Sequence, residues 1–180
     1  GKEYGVESFV YNGQVHVLGV LGKYMTDPPD YAELGHYMPS QLAIEDKVKE
    51  TAQKAIKALG INFGAVNMDV LLTKDDRVFI VDVGSRMGGN LIGSHIIPLG
   101  AGVDYMGNLI RIAVGDPIEM ISKDSKTNVV TRLLALTPGT VKKLPDFKAI
   151  SEKYQVSIFH HLKVGSVIKE YHNNLDGCGY

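Results

Sequence analysis

Apolar residues recur in two rhythms along this chain, and each rhythm predicts a different kind of element. Residues 3–10 and 14–21 are β-rich runs parted by Asn12-Gly13, the strongest short signal for a hairpin. Residues 66–73 and 77–83 repeat the pattern, with Val, Leu, Ile and Phe on both sides of a turn built on Asp75-Asp76. Between these hairpins the rhythm changes. Ile44, Val48, Ala52, Ala55, Ile56 and Leu59 form one stripe in a helix expected over 41–59, with Ser40 as N-cap and Gly60 just past its end. A second helix is expected over 103–114, with Tyr105, Met106, Leu109, Ile110 and Ala113 on its apolar side and Gly115-Asp116-Pro117 as its stop. Residues 93–99 predict a short helix or turn before that helix. Residues 23–40, with Pro28, Pro29 and Pro39, predict a long loop, and a loop of that length in a compact domain tends to be functional or mobile. The chain turns polar between 124 and 128, beyond which short strands (129–136, 156–161, 166–171) and a short helix (148–154) are expected. The fold class is therefore α+β, an antiparallel sheet packed by helices over 1–124 and a small β-rich wing over 125–180.

The second hairpin contains two acids inside otherwise apolar strands. In a loop symmetric about Asp75 and Asp76, paired residues have numbers summing to 151, and Asp69 then faces Asp82. Directly opposed side chains have Cβ atoms about 4.5 to 5.5 Å apart, where like charges destabilise the sheet unless something neutralises them. An odd loop would shift the register by one and spoil that pairing. Alternation then puts Asn67, Asp69 and Leu71 on one side with Val78, Ile80 and Asp82, and Val66, Met68, Val70 and Leu72 on the other with Phe79, Val81 and Val83. Arg86 lies two alternate positions beyond Asp82, and Gly88-Gly89-Asn90 follows, where backbone N–H groups can approach an anion closely. Two carboxylates at that distance suit a hard divalent cation, and Arg86 offers a fork to a phosphoryl or carboxylate group. A solvated hairpin end with an Asp-Arg ion pair and a Gly-rich turn is the alternative.

Composition narrows the classes. A net charge of -1, spread without blocks, implies no broad nucleic-acid surface. The single Cys178 excludes an internal disulfide and is compatible with a reducing cytosol, and no Cys/His spacing of zinc type occurs. No apolar run reaches the roughly 18 residues of a membrane span and no signal peptide is visible. The chain opens on Gly1 and ends at Gly177-Cys178-Gly179-Tyr180 without a terminal element, so it is expected to be a piece of a larger protein. Glu3 at a strand start, and Lys23, Glu33 and His36 in the loop, each have ordinary readings from position alone.

The run GAVNMDVLLTKDDRVFIVDVGSRMGGN, followed by GAGVDYMGNLIRIAVGDPI, resembles the C-terminal half of the ATP-grasp superfamily in its amino-acid-ligase and carbamoyl-phosphate-synthetase-like branch. The resemblance implies that Asp69 and Asp82 are metal ligands holding Mg²⁺ (or Mn²⁺) against the phosphates of ATP. It implies that Arg86 is the catalytic group steadying the transferred phosphoryl, and that Glu3 contacts the ribose. The stretch from Glu33 to Ser40 is similar to a ligase segment whose acid and histidine, here Glu33 and His36, lie near the acceptor substrate, with Lys23 preceding them. Asn67 is similar to a residue of the synthetase, and Lys23, Asn67, Gly88 and Gly89 are expected, with Glu3, to bind the nucleotide. The sequence departs from the family at Gly84, where many members carry Asn, and in having Asp at both acid positions.

The implied activity is that of an ATP-dependent carboxylate-amine ligase working through an acyl phosphate, with the adenine hinge and phosphate-binding lysines in an N-terminal part of the same polypeptide. The piece alone is then expected to be inactive. Two other readings remain: an enzyme that phosphorylates bicarbonate, as carbamoyl-phosphate synthetase and biotin carboxylase do, and a nucleotide-binding module without turnover. The expected partners are small-molecule substrates, the missing N-terminal part and, optionally, a second copy in a homodimer; no nucleic acid and no membrane are expected, and the location is cytoplasmic.

Overall fold

A computed structural model of the chain describes residues 1–120 and 127–180. The first hairpin forms where the Asn12-Gly13 signal puts it. Strand β1 (Lys2–Tyr11) pairs antiparallel with β2 (Gln14–Met25), and both turn residues take positive φ, 49° and 73°, as a two-residue hairpin loop requires. The 23–40 segment is not all loop: strand β3 (Glu33–Met38) occupies its second half. Helix α1 (Glu45–Ala58) starts four residues later than expected, because Gln41 sits at φ 58° and cannot join it. Ser40 is not its N-cap; its hydroxyl instead donates to Glu45 Oε2 at 2.6 Å. The stripe that packs is Val48, Ala52 and Ile56, while Leu59 at the helix end is exposed.

Strand β4 (Gly64–Leu72) pairs antiparallel with both β1 and β5 (Val78–Gly84). A π-helical turn (Ile92–Ile96) runs into α2 (Ile97–Gly100), then α3 (Tyr105–Val114), capped by Asp104, whose carboxylate accepts from Gly107 N at 2.9 Å. The packed side of α3 is Tyr105, Asn108 and Ile112; Met106, Ile110 and Ala113, expected inside, are exposed. Strand β6 (Val129–Arg132) completes a six-stranded sheet in the order β5-β4-β1-β2-β3-β6. On one face Tyr4, Val6, Val10, Val66, Met68 and Val70 pack with α1; on the other, Phe9, Leu18 and Leu21 pack with Ile92, Ile96, Ile97, Tyr105 and Ile112.

The β4–β5 register sets the position of the two acids. Thr73 N donates to Arg77 O, so the loop is Lys74-Asp75-Asp76, an odd one with Asp76 at φ 56°. Near the turn the pairs accordingly run Leu72↔Val78, Leu71↔Phe79 and Val70↔Ile80. Between Asp69 and Val70 the register shifts by one at a β-bulge, and Asp69 comes opposite Asp82 after all. Two departures from the expected geometry cancel. The side assignments near the turn are exchanged in consequence: Val78 packs with Val70 and Leu72, not with Leu71.

The chain divides into two compact units, Gly1–Lys23 with His36–Val130 and Tyr24–Gly35 with Thr131–Tyr180. The boundary expected at 124/125 lies outside the described residues. In the second unit β7 (Gly139–Thr140) pairs with β8 (Val167–Ile168), helix α4 (Phe147–Tyr154) lies between them in sequence, and a small core gathers Leu162, Ile168 and Cys178. The strand expected over 156–161 is reduced to a single bridge, His160 to Gly179.

Candidate functional site

One face of the β1–β2–β4 sheet carries the polar residues. Alternation places Glu3 and Glu7 of β1 on the side that Asn67 and Asp69 occupy on β4. The Lys23 ammonium lies between two of these acids, 2.6 Å from Glu3 Oε1 and 2.7 Å from Asp69 Oδ1, with its side chain only 2% exposed. The repulsion expected between Asp69 and Asp82 is thus met in part from within the chain. Both are hard oxygen donors on directly paired residues, with Asp69 partly buried and Asp82 exposed, which fits a divalent cation sharing Asp69 with Lys23.

Arg86 is exposed beyond the end of β5. Its guanidinium makes a long contact to Asn67 Oδ1 at 3.5 Å and donates to Met87 O at 3.2 Å. The side chain lies over Gly84: a Cβ there would sit 3.3 Å from Arg86 Cγ, so the position where many family members carry Asn is partly filled by arginine.

Beneath Arg86 is a group that the sequence reading did not single out. Glu7 is fully buried, and its carboxylate accepts from Asn67 Nδ2 at 2.9 Å, Gly88 N at 2.9 Å and the Tyr105 hydroxyl at 2.8 Å. Burial pushes the Glu7 carboxyl up to about 7 against the opposing pull of those three donors and of Arg86. The same burial, reinforced by Glu7, raises the Tyr105 hydroxyl. A signal for Glu7 existed, an acid four residues after Glu3 and hence on the same strand face, but its meaning depends on the distant pairing of β1 with β4.

This arrangement changes the expectation for the Gly-rich turn. The Gly88 N–H faces inward to Glu7, and a Cβ on Gly88 would lie 2.6 Å from Glu7 Oε2; the exposed member of the pair is Gly89, with open space around its Cα. His36 is fully buried in β3. Glu33, in the second unit, accepts from Asn174 Nδ2 at 2.9 Å, and its carbonyl accepts from the Tyr171 hydroxyl. Within the first unit the expected grouping is kept for Glu3, Lys23 and Asp69, for Asp69 and Asp82, and for Asn67 and Arg86.

Among the described residues no helix is long and apolar enough to cross a membrane. Residues 1–94 match the family model of the ATP-grasp domain. The uncharacterized protein y4rH of Sinorhizobium fredii (strain NBRC 101917 / NGR234) is 26% identical over 145 residues, covering 76% of this chain and 30% of that protein. Among solved structures, phosphoribosylglycinamide synthetase from Anaerococcus prevotii is 25% identical with a TM-score of 0.83, over 99% of this chain and 47% of that one. The L-amino acid ligase of Bacillus licheniformis is 22% identical with a TM-score of 0.84, over 99% and 45%. The biotin carboxylase domain of 2-oxoglutarate carboxylase from Hydrogenobacter thermophilus, solved with MgADP, ADP and bicarbonate, is 18% identical with a TM-score of 0.67, over 99% and 40%. The chain spans less than half the length of each of these proteins.

Proposed function

Because the chain belongs to the ATP-grasp family, we propose that it forms the C-terminal part of an ATP-dependent carboxylate-amine ligase that works through an acyl phosphate. The observation that carries this reading is Asp69 opposed to Asp82 across the hairpin, beside the buried Lys23, with Arg86 four residues after Asp82. In the reaction a substrate carboxylate oxygen attacks the γ-phosphorus of ATP and the bond to ADP breaks. An amine nitrogen then attacks the acyl carbon, phosphate leaves with the C–O electron pair, and the amine gives up a proton.

Asp69 and Asp82 are the residues that would hold Mg²⁺, which when bound offsets the negative charge of the nucleotide phosphates. Lys23 holds Glu3 and Asp69 at fixed spacing, so that one ammonium ties the ribose-side acid to the metal-side acid. Arg86, exposed and planar, would lie against the transferring phosphoryl group, where positioning and electrostatics supply the catalysis. Gly89 leaves room for a phosphate to approach the turn.

The test is ADP release by the full-length protein with MgATP, screened against amino-acid pairs and against bicarbonate. Stimulation by an amino-acid pair, with Asp82→Asn slower by about 100-fold or more, is the expected result. Stimulation by bicarbonate alone moves the substrate class to bicarbonate phosphorylation. ATP binding without turnover would make the chain part of a nucleotide-binding module.

A further inference from the structure

We propose that Glu7 is a positioning residue for Arg86, acting through the side-chain amide of Asn67. This deepens the phosphoryl-site reading of Arg86 and rests on it. A guanidinium can only donate hydrogen bonds and an ionised carboxylate can only accept them, while an amide has one end of each kind. Asn67 stands between the two, with Nδ2 on Glu7 Oε2 at 2.9 Å and Oδ1 toward Arg86 Nη1 at 3.5 Å. Only this orientation of the amide satisfies both neighbours. The other carboxylate oxygen, Oε1, accepts from Gly88 N, two residues after Arg86, and from the Tyr105 hydroxyl on α3. Glu7 thus holds Arg86 from two directions, through its guanidinium partner and through the backbone that follows it. Being fully buried, Glu7 touches no substrate itself. The Arg86–Asn67 contact, at 3.5 Å, is at the long end of the hydrogen-bond range.

A carboxylate and an amide can exchange places across this arrangement, and that supplies the test. In Glu7→Gln an NH₂ group replaces the oxygen facing Asn67, two donors meet, and the Asn67 amide turns over, presenting its own NH₂ to the guanidinium. For ADP release by the full-length protein with MgATP, kcat is expected to fall about 100-fold while KM for ATP stays within about threefold. Adding Asn67→Asp to Glu7→Gln places a carboxylate between two donors, and kcat should recover by about tenfold or more. Asn67→Asp alone opposes two carboxylates and should give no such recovery. In an Arg86→Ala background, Glu7→Gln should add no further loss, because the group it positions is gone.

The proposal is overturned if the double variant is as slow as Glu7→Gln, or if the loss falls on KM for ATP while kcat is unchanged. Should Glu7→Gln fail to fold, ¹⁵N-resolved NMR of the wild-type protein decides. The two Asn67 Nδ2 protons are expected to give well-separated, slowly exchanging signals, and exchange as fast as that of a free amide overturns the proposal. A wild-type protein without ATP turnover removes the phosphoryl-site reading instead, and the same amide signals then show separately whether Glu7 fixes Asn67.

Discussion

At the scale of single residues, the site is governed by one buried acid and one close approach. Glu7 is surrounded by donors that favour its ionised form, yet burial wins and lifts the carboxyl from 4.5 to about 7. A folded value above the unfolded one means that the stabilising difference is complete below pH 4.5 and is lost as pH rises through 7. Measured by denaturant unfolding, the stability of the wild type minus that of Glu7→Gln should therefore fall by up to about 3 kcal/mol from pH 4.5 to above 7. A difference that stays flat would remove the titration from Glu7. Gly88 and Gly89 make a paired test of the turn. A Cβ at Gly88 would meet Glu7 Oε2 at 2.6 Å and Asn67 Nδ2 at 3.0 Å, so Gly88→Ala should cost about 1–3 kcal/mol of stability by overpacking a buried network. At Gly89 a Cβ meets nothing within 4 Å, so Gly89→Ala should stay within about 0.5 kcal/mol of wild type. Equal losses at the two positions would contradict this account of the turn.

At the scale of elements, the legible parts of the chain were those whose signals are local. Asn12-Gly13 predicts the first hairpin, and the Val48-Ala52-Ile56 stripe predicts α1, because each depends only on residues within a few positions. The start of α1 was misjudged by the same local logic: Ser40 has the right chemistry for a cap, but the left-handed Gln41 after it sends the chain elsewhere. Leu59 fits the helical stripe yet lies 60% exposed, so Ile56→Ala should cost about 2–5 kcal/mol and Leu59→Ala less than about 0.5 kcal/mol, as thermal or denaturant unfolding would show. On α3 the sequence pattern is apolar nearly all round, so periodicity could not say that Asn108 rather than Met106 faces inward. There the deciding fact is a distant one: Asn108 exchanges two hydrogen bonds with the Glu119 backbone, at 2.7 and 2.9 Å. The pairing of Asp69 with Asp82 was legible, but the path to it was not. Residue counting presumed an even loop, and the fold reaches the same pair through an odd loop and a bulge.

At the scale of the whole molecule, the two compact units differ in how much apolar surface they bury. The first has a core on each face of its sheet, whereas the core of the second is gathered around Leu162, Ile168 and Cys178. Amides of β1 and β4 should accordingly outlast those of β7, β8 and α4 in hydrogen exchange by about tenfold or more, and equal protection would mean that the units open together. The bulge in β5 also bears on how copies of this chain meet one another. In the sheet order β5 is an outermost strand, and it exposes Phe79, Ile80 and Val81 in succession. A straight apolar strand in that position offers a regular row of free N–H and C=O groups, a template on which neighbouring chains can stack into aggregates. The irregularity that brings the two acids face to face breaks that row at its stickiest stretch, so one extra residue serves both the chemistry of the hairpin and the solubility of its rim.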